Sequence, residues 1–233
     1  MKKKFIFKIF IGYDNRETIA YHVLSHSIIS KSSIPVTITP IKLENLKIFY
    51  NRKKGKKDST EFSISRFLTP YLSNFEGYSL FLDCDFIVNA DIADLFKVIK
   101  KDPNKTVWCV KHKNYKPKDK RKFLNERQLP YEKKNWSSFV VYNNAKCRML
   151  TPSFVSKSNG LFLHQFKWIK DNQIGFLPKE WNILVGEQKI PKNFKALHFT
   201  LGGPYFKKYS KTKGSRYWYR NLKNMKNGLE KSF

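Results

Sequence analysis

Residues Tyr78 to Asp85 read Tyr-Ser-Leu-Phe-Leu-Asp-Cys-Asp, an apolar run that stops in two carboxylates one residue apart. Only an interior strand accommodates such a run comfortably, and it delivers Asp83 and Asp85 to the edge of a sheet, where open α/β sheets bind their ligands. Alternate strand residues share a face, so both carboxylates can reach one point. Two close carboxylates repel, and burial makes each costlier to ionise. A divalent cation relieves that repulsion, and a hard oxygen pair suits Mn2+ or Mg2+ with positions left open for phosphate oxygens. The competing reading is a strand end bearing two solvated acids.

The chain's 233 residues suffice for one α/β domain with a substantial core. Its 20 Phe, 12 Tyr and 5 Trp argue against disorder. Cys84, Cys109 and Cys147 form no C-x-x-C pair, which fits buried thiols in a reducing compartment better than a disulfide framework or zinc site. The N-terminus starts like a signal peptide. Lys8 interrupts its apolar run, however, and Asp14-Asn15-Arg16-Glu17 follows at once, so it reads as a first strand. No apolar stretch approaches membrane-spanning length. The net charge of +28 is uneven: residues 1–110 carry +7 and residues 111–233 carry +21. Such an excess attracts nucleic acid, anionic membranes or phosphorylated substrates, unless it is only a lysine bias on solvated faces.

Along the chain, strands and helices alternate. Phe5–Gly12 is the first expected strand. Asp14 then caps a helix, with Glu17 completing a capping box, and Ile19, Ala20, Val23, Leu24 and Ile28 recur at helical spacing. Val36–Ile41 is a second strand, and Lys42–Asp58 a basic, mobile loop. A helix from Ser59 or Thr60 towards Tyr71, disturbed by Pro70, precedes the strand into Asp83. Asp91 caps a short helix through Val98. Thr106–Lys111, Trp136–Tyr142 and Ala196–Thr200 are further strands, with a charged connection over Lys113–Glu132. This alternation predicts an α/β fold with a mostly parallel central sheet.

An ordered set of segments resembles the GT-A-fold glycosyltransferases, close to the family 8 type that includes bacterial lipopolysaccharide galactosyl- and glucosyltransferases. The set begins with the strand ending Ile11-Gly12-Tyr13-Asp14, then Ser65-Arg66-Phe67, then Asp83-Cys84-Asp85. Asp91 to Phe96, Asn135-Trp136-Ser137-Ser138 and Leu177 to Asn182 follow, and His198 to Pro204 completes it. The resemblance implies a single Rossmann-like GT-A domain over residues 1–204, with residues 205–233 as a basic-aromatic C-terminal segment. It implies that Asp83, Asp85 and His198 hold the metal, with Asp83 also near the ribose. Gly202 and Gly203 would admit the pyrophosphate, Tyr13 and Asp14 would meet the base and sugar, and Arg66 the donor sugar or phosphate. Gln165 would face the donor sugar and Asn135 the acceptor side. From the residues alone, His198 could equally be a core histidine, Asp14 a helix cap, Arg66 a surface cation, and Gly202-Gly203 an ordinary turn.

The chain also departs from the pattern. Gly203 stands before Pro204 where family 8 commonly has a lysine, which leaves Lys207 or Lys208 to neutralise the pyrophosphate. His164 stands where the acid of an Asp-Gln pair is usual. Asp171, Glu180 and Glu187 are the candidate bases for an inverting reaction, whereas the resemblance implies retention.

The function expected is metal-dependent transfer of a hexose from a nucleotide-sugar, a UDP-sugar by resemblance, to a saccharide or lipid-linked glycan. Other classes are a nucleic-acid-binding or -modifying protein, for which no binding signature is present, and a cation-dependent nucleotidyltransferase. Residues 205–233 interleave nine basic residues, Lys207 to Lys231, with aromatics. Such a segment suits the anionic surface of a membrane, so the expected location is cytoplasmic and peripheral to the inner membrane. The alternative is that Tyr217, Trp218 and Leu222 pack the segment on the core.

Overall fold

The computed structural model describes residues 6–55, 58–113, 115–117, 121–126, 128 and 130–230. The expected strand start at Phe5, Lys56 and Lys57 of the basic loop, positions 114, 118–120, 127 and 129 of the charged connection, and Lys231 and Phe233 of the tail lie outside them.

Strand β1 (Phe7–Tyr13) is buried along almost its whole length, as a strand covered on both faces must be. It leads through a short turn into α1 (Thr18–Ile29), then β2 (Val36–Lys42), α2 (Thr69–Leu72), β3 (Tyr78–Leu82), β4 (Phe86–Val88), α3 (Asp94–Ile99) and β5 (Val107–Val110). After these come β6 (Phe139–Asn143), α4 (Pro152–Lys157), α5 (Gly160–His164), β7 (Ile174–Leu177), β8 (Ile183–Leu184), β9 (Ala196–His198) and α6 (Ser215–Glu230).

Six strands form one sheet in the order β2-β1-β3-β6-β5-β7. β1 is parallel to β2 and β3, and β5 to β7, while β6 runs antiparallel to both neighbours. The sheet is thus mostly parallel, as its alternating pattern predicted. A second sheet, β4-β9-β8, pairs Phe86 with His198 across an antiparallel ladder. One core lies about the large sheet, and a smaller one joins Val23, Ile87, Ile183, Leu197 and Phe199 to Trp218 of α6.

Local chemistry corrects two expectations. Asp14 does cap, but it caps a 3-10 turn at Asn15–Glu17, accepting from Arg16 N–H at 3.0 Å. Glu17 makes no capping box there; it turns inward and is buried. Pro70 does not disturb a helix. It sits in the first turn of α2, where a missing N–H is harmless, after a 3-10 turn at Ser65–Leu68.

Candidate metal centre and donor cleft

β3 carries the chain directly into Asp83, whose N–H donates to Ser138 O at 2.9 Å and extends the ladder with β6 by one step. Two residues on, Asp85 O accepts from Phe199 N–H at 2.9 Å, which locks the start of β4 beside the end of β9. That pairing brings His198 to Asp85: its Nε2 lies 3.3 Å from Asp85 Oδ1. Ligand atoms of Asp83, Asp85 and His198 all fall within 4.8 Å of one another. The His198 ring stacks on Phe86, centroids 4.2 Å apart and planes 16° off parallel, which fixes its plane.

A hydrogen-bond chain fixes the tautomer. Asn182 Nδ2 donates to Ser138 Oγ (3.0 Å) and Asn135 O (3.3 Å), so Asn182 Oδ1 faces His198 Nδ1 at 3.1 Å. Nδ1 therefore carries the hydrogen in the neutral ring, and the Nε2 lone pair points at a carboxylate oxygen. Two acceptors that close repel unless a cation or a proton lies between them. The donor set, two carboxylates and an oriented imidazole whose other nitrogen is hydrogen-bonded, fits a divalent metal.

The electrostatics match. Burial raises the Asp83 carboxyl to about 6, against the nearby Arg66 and with help from Asp85. Burial also works against the Asp85 carboxylate, but the charge and N–H of His198 in its protonated form, with the proton standing where a metal would, outweigh it and hold Asp85 below its ordinary value. Glu17 is raised to about 8 by burial first and by the charge of Asp85 second. Tyr205 OH donates to Glu17 at 2.5 Å.

Glu17, Asp83, Asp85 and His198 line a cleft of about 470 Å3. Arg66 lines it, pairing with Asp83 at 2.7 Å and donating to Ser137 O at 3.0 Å. Asn135 lines it too, held in a left-handed conformation at φ 65°. Its side-chain nitrogen is shielded from solvent with no hydrogen-bond partner among the described residues.

Other expected residues lie elsewhere. Asp14 is fully buried and gripped by the Arg16 guanidinium at 2.8 and 2.7 Å, outside the cleft lining. Tyr13, also outside it, bonds to Thr18 Oγ1 at 3.1 Å. Gly202 and Gly203 are buried behind the lining. Gly202 has φ 145°, and a Cβ there would fall 2.5 Å from the Tyr209 ring, so this glycine admits an aromatic of its own chain. Gln165 ends α5 outside the lining, while its neighbour His164 faces the cleft, Nδ1 2.8 Å from Ser137 Oγ. Asp171 is exposed and paired with Lys133, and neither it nor Glu180 or Glu187 lines the cleft. Lys207 and Lys208 are exposed and likewise outside it. Sequence reasoning gave no role to Glu17 beyond capping, or to Asn182, Lys122, Tyr131 or Lys134. Asn182 and Ser138 stood inside quoted segments, but nothing in their spacing says that they orient His198.

Protein CDI of Arabidopsis thaliana is 43% identical over 225 residues, covering 93% of this chain and 86% of that protein. The chain belongs to the family of Protein CDI. No model of a known protein family matches it. Among solved structures, the bifunctional glycosyltransferase WbbM superposes with a TM-score of 0.62 at 14% identity over 93% of this chain; the chain spans 49% of WbbM. GlyE of Streptococcus pneumoniae TIGR4 gives 0.60 at 14% identity, covering 97% of this chain and 63% of GlyE. The galactosyltransferase LgtC, in complex with donor and acceptor sugar analogs, gives 0.55 at 10% identity, covering 93% and 95%. The fold is that of the GT-A glycosyltransferases.

Proposed function

We propose that the chain is a divalent-metal-dependent glycosyltransferase of the family 8 type, moving a hexose from a UDP-sugar to a saccharide or lipid-linked glycan acceptor with retention. The observation that carries this reading is the convergence of Asp83, Asp85 and the Nε2 lone pair of His198 on one point of the cleft. LgtC, of the same fold, was solved with donor and acceptor sugar analogs. Asp83, Asp85 and His198 would hold Mn2+ or Mg2+, which when bound supplies positive charge for diphosphate oxygens.

The chain's own residues do the rest. Arg66 fixes Asp83 and lends a second positive charge nearby. Asn135 lines the cleft, and the Ser137–His164 pair adds a neutral polar wall, burial holding the His164 ring uncharged. In the transfer, the bond from the anomeric carbon to the β-phosphate oxygen breaks and its electron pair stays on that oxygen. The acceptor hydroxyl oxygen forms the new bond on the same face, and its proton passes to the departing phosphate. No separate carboxylate base is required by this route, which accords with the positions of Asp171, Glu180 and Glu187.

The membrane part of the proposal is that α6 rests on an anionic surface, as a cytoplasmic, peripheral arrangement. Among the described residues no helix is long and apolar enough to cross a membrane. The nucleic-acid reading gains nothing from the metal cluster, and nucleic acid is not the proposed partner. A nucleotidyltransferase would release pyrophosphate from a nucleoside triphosphate. Incubating the protein with Mn2+ and UDP-hexoses separates the readings: released UDP and hexose, lost in Asp85→Asn, support glycosyl transfer. Pyrophosphate release from UTP, without UDP release from any sugar donor, refutes it.

A further inference from the structure

A nucleoside diphosphate leaving group needs positive charge beyond the metal, because negative charge grows on the β-phosphate as the glycosyl bond breaks. The turn that follows His198 supplies none: Phe199 to Phe206 contains no basic residue. Another segment backs that turn. Phe123 N–H donates to Leu201 O at 2.8 Å. The Phe123 ring stacks on Phe206, centroids 5.2 Å apart and planes 14° off parallel. A Cβ on Gly202 would stand 3.0 Å from Phe123 Cβ, so the two segments are in close contact there.

The residue before Phe123 is Lys122, and it lines the cleft with Asp83, Asp85 and His198. Its ammonium lies 5.0 Å from the Phe123 ring centroid and has no ion-pair partner among the described residues. Glu126, the acid on the same segment, is occupied by Arg16 at 2.8 Å and Lys54 at 3.3 Å. Leu124 and Asn125 adopt left-handed conformations, φ 49° and 63°, common for Asn but unusual for Leu, which holds it where its surroundings enforce it. Against the dominant effect of burial, the Lys122 charge pulls down the carboxyls of Glu17, Asp83 and Asp85. Lys134, across the same lining, is lowered to about 8 by burial first and by Lys122 second. Lys122 thus shares one electrostatic neighbourhood with the metal ligands without being tied to any of them.

We propose that Lys122 is the donor-contacting cation that grips the diphosphate, taking the place of the lysine absent before Pro204. The inference rests on the glycosyltransferase reading. It places the charge on a segment remote in sequence from the metal ligands, held against the turn after His198 by the Phe123–Leu201 hydrogen bond.

Calorimetric titration of the full chain with Mn2+ alone, and with UDP or UMP in excess Mn2+, tests it. In Lys122→Met, UDP binding is expected to weaken roughly 10- to 100-fold and UMP binding less than about threefold, as for loss of one charge-assisted hydrogen bond to the outer phosphate. Mn2+ alone should bind as well or more tightly, since a neighbouring positive charge has gone. Lys122→Arg should retain most of the UDP affinity. Equal weakening of UDP and UMP, or weaker Mn2+ binding, would show a merely structural lysine and overturn the assignment; so would unchanged UDP binding. If the unmodified protein binds Mn2+ but neither UDP nor GDP, the glycosyltransferase reading itself fails.

Discussion

Asn182 holds His198 in the one orientation that presents Nε2 to the carboxylates, so its loss should be felt at a metal it never touches. Asn182→Ala is expected to weaken Mn2+ binding about 10- to 100-fold with the fold intact, while Asp85→Asn abolishes it; titration calorimetry reads both. Wild-type affinity in the Ala variant would mean that Phe86 stacking alone orients the ring. The Asp83 carboxyl, raised to about 6, becomes protonated as pH falls through that value, and the protonated group is no ligand. Mn2+ affinity should therefore fall by about tenfold per pH unit below 6, rather than holding to the lower pH expected of an ordinary aspartate. Glu17 bears on stability instead. Its folded carboxyl keeps a proton up to about 8, whereas the unfolded chain releases it near 4.5. The folded state binds more protons in that window, so wild-type stability falls as pH rises through it. Glu17→Gln removes this dependence and still accepts the Tyr205 hydrogen bond. Without metal, the variant's melting temperature should overtake wild type by a widening margin from pH 5 to pH 8. A margin that does not change with pH would place the Glu17 titration elsewhere.

At the scale of elements, β1 and β3 were legible because their burial is written as continuous apolar runs, and Asp83 and Asp85 because the run stops at them. The partnership of β4 with β9 was not. A three-residue antiparallel pairing between distant segments leaves no periodic trace, so His198 rested on the resemblance until the ladder placed it. Glu17 was misread for a related reason. Its spacing from Asp14 satisfies a capping box, and only the contact with Tyr205, far along the chain, turns it inward. In α6 both readings of the tail have a physical basis. Trp218 is buried, with Tyr217, Leu222 and Met225 partly so, against the smaller core, while Arg216, Tyr219, Arg220, Lys223 and Lys226 are exposed. Trp218→Ala should cost about 3–5 kcal/mol in chemical denaturation. Neutralising Arg216, Arg220, Lys223 and Lys226 together should leave stability nearly unchanged but abolish sedimentation with anionic liposomes at low salt. Equal partitioning of wild type to neutral and anionic vesicles would show that the face is only solvated.

Across the whole molecule, a mostly parallel sheet ends in a cleft lined by two buried acids, Glu17 and Asp85, the half-buried Asp83, an oriented imidazole and several cations. The arrangement is costly: burial and the charge of Asp85 push the carboxyls of Glu17 and Asp83 upward. The central claim is that metal and nucleotide-sugar relieve it together. The most direct measurement is the melting temperature of the full chain with a panel of UDP-, GDP- and CMP-sugars, each with and without Mn2+, in wild type and Asp85→Asn. A UDP-sugar at about 100 times its dissociation constant adds roughly 2.7 kcal/mol, which raises the midpoint by roughly 5–10 °C in a chain of this size. That rise should require Mn2+ and vanish in Asp85→Asn. A rise independent of Mn2+, or none with any sugar nucleotide while Mn2+ is bound, would contradict the account.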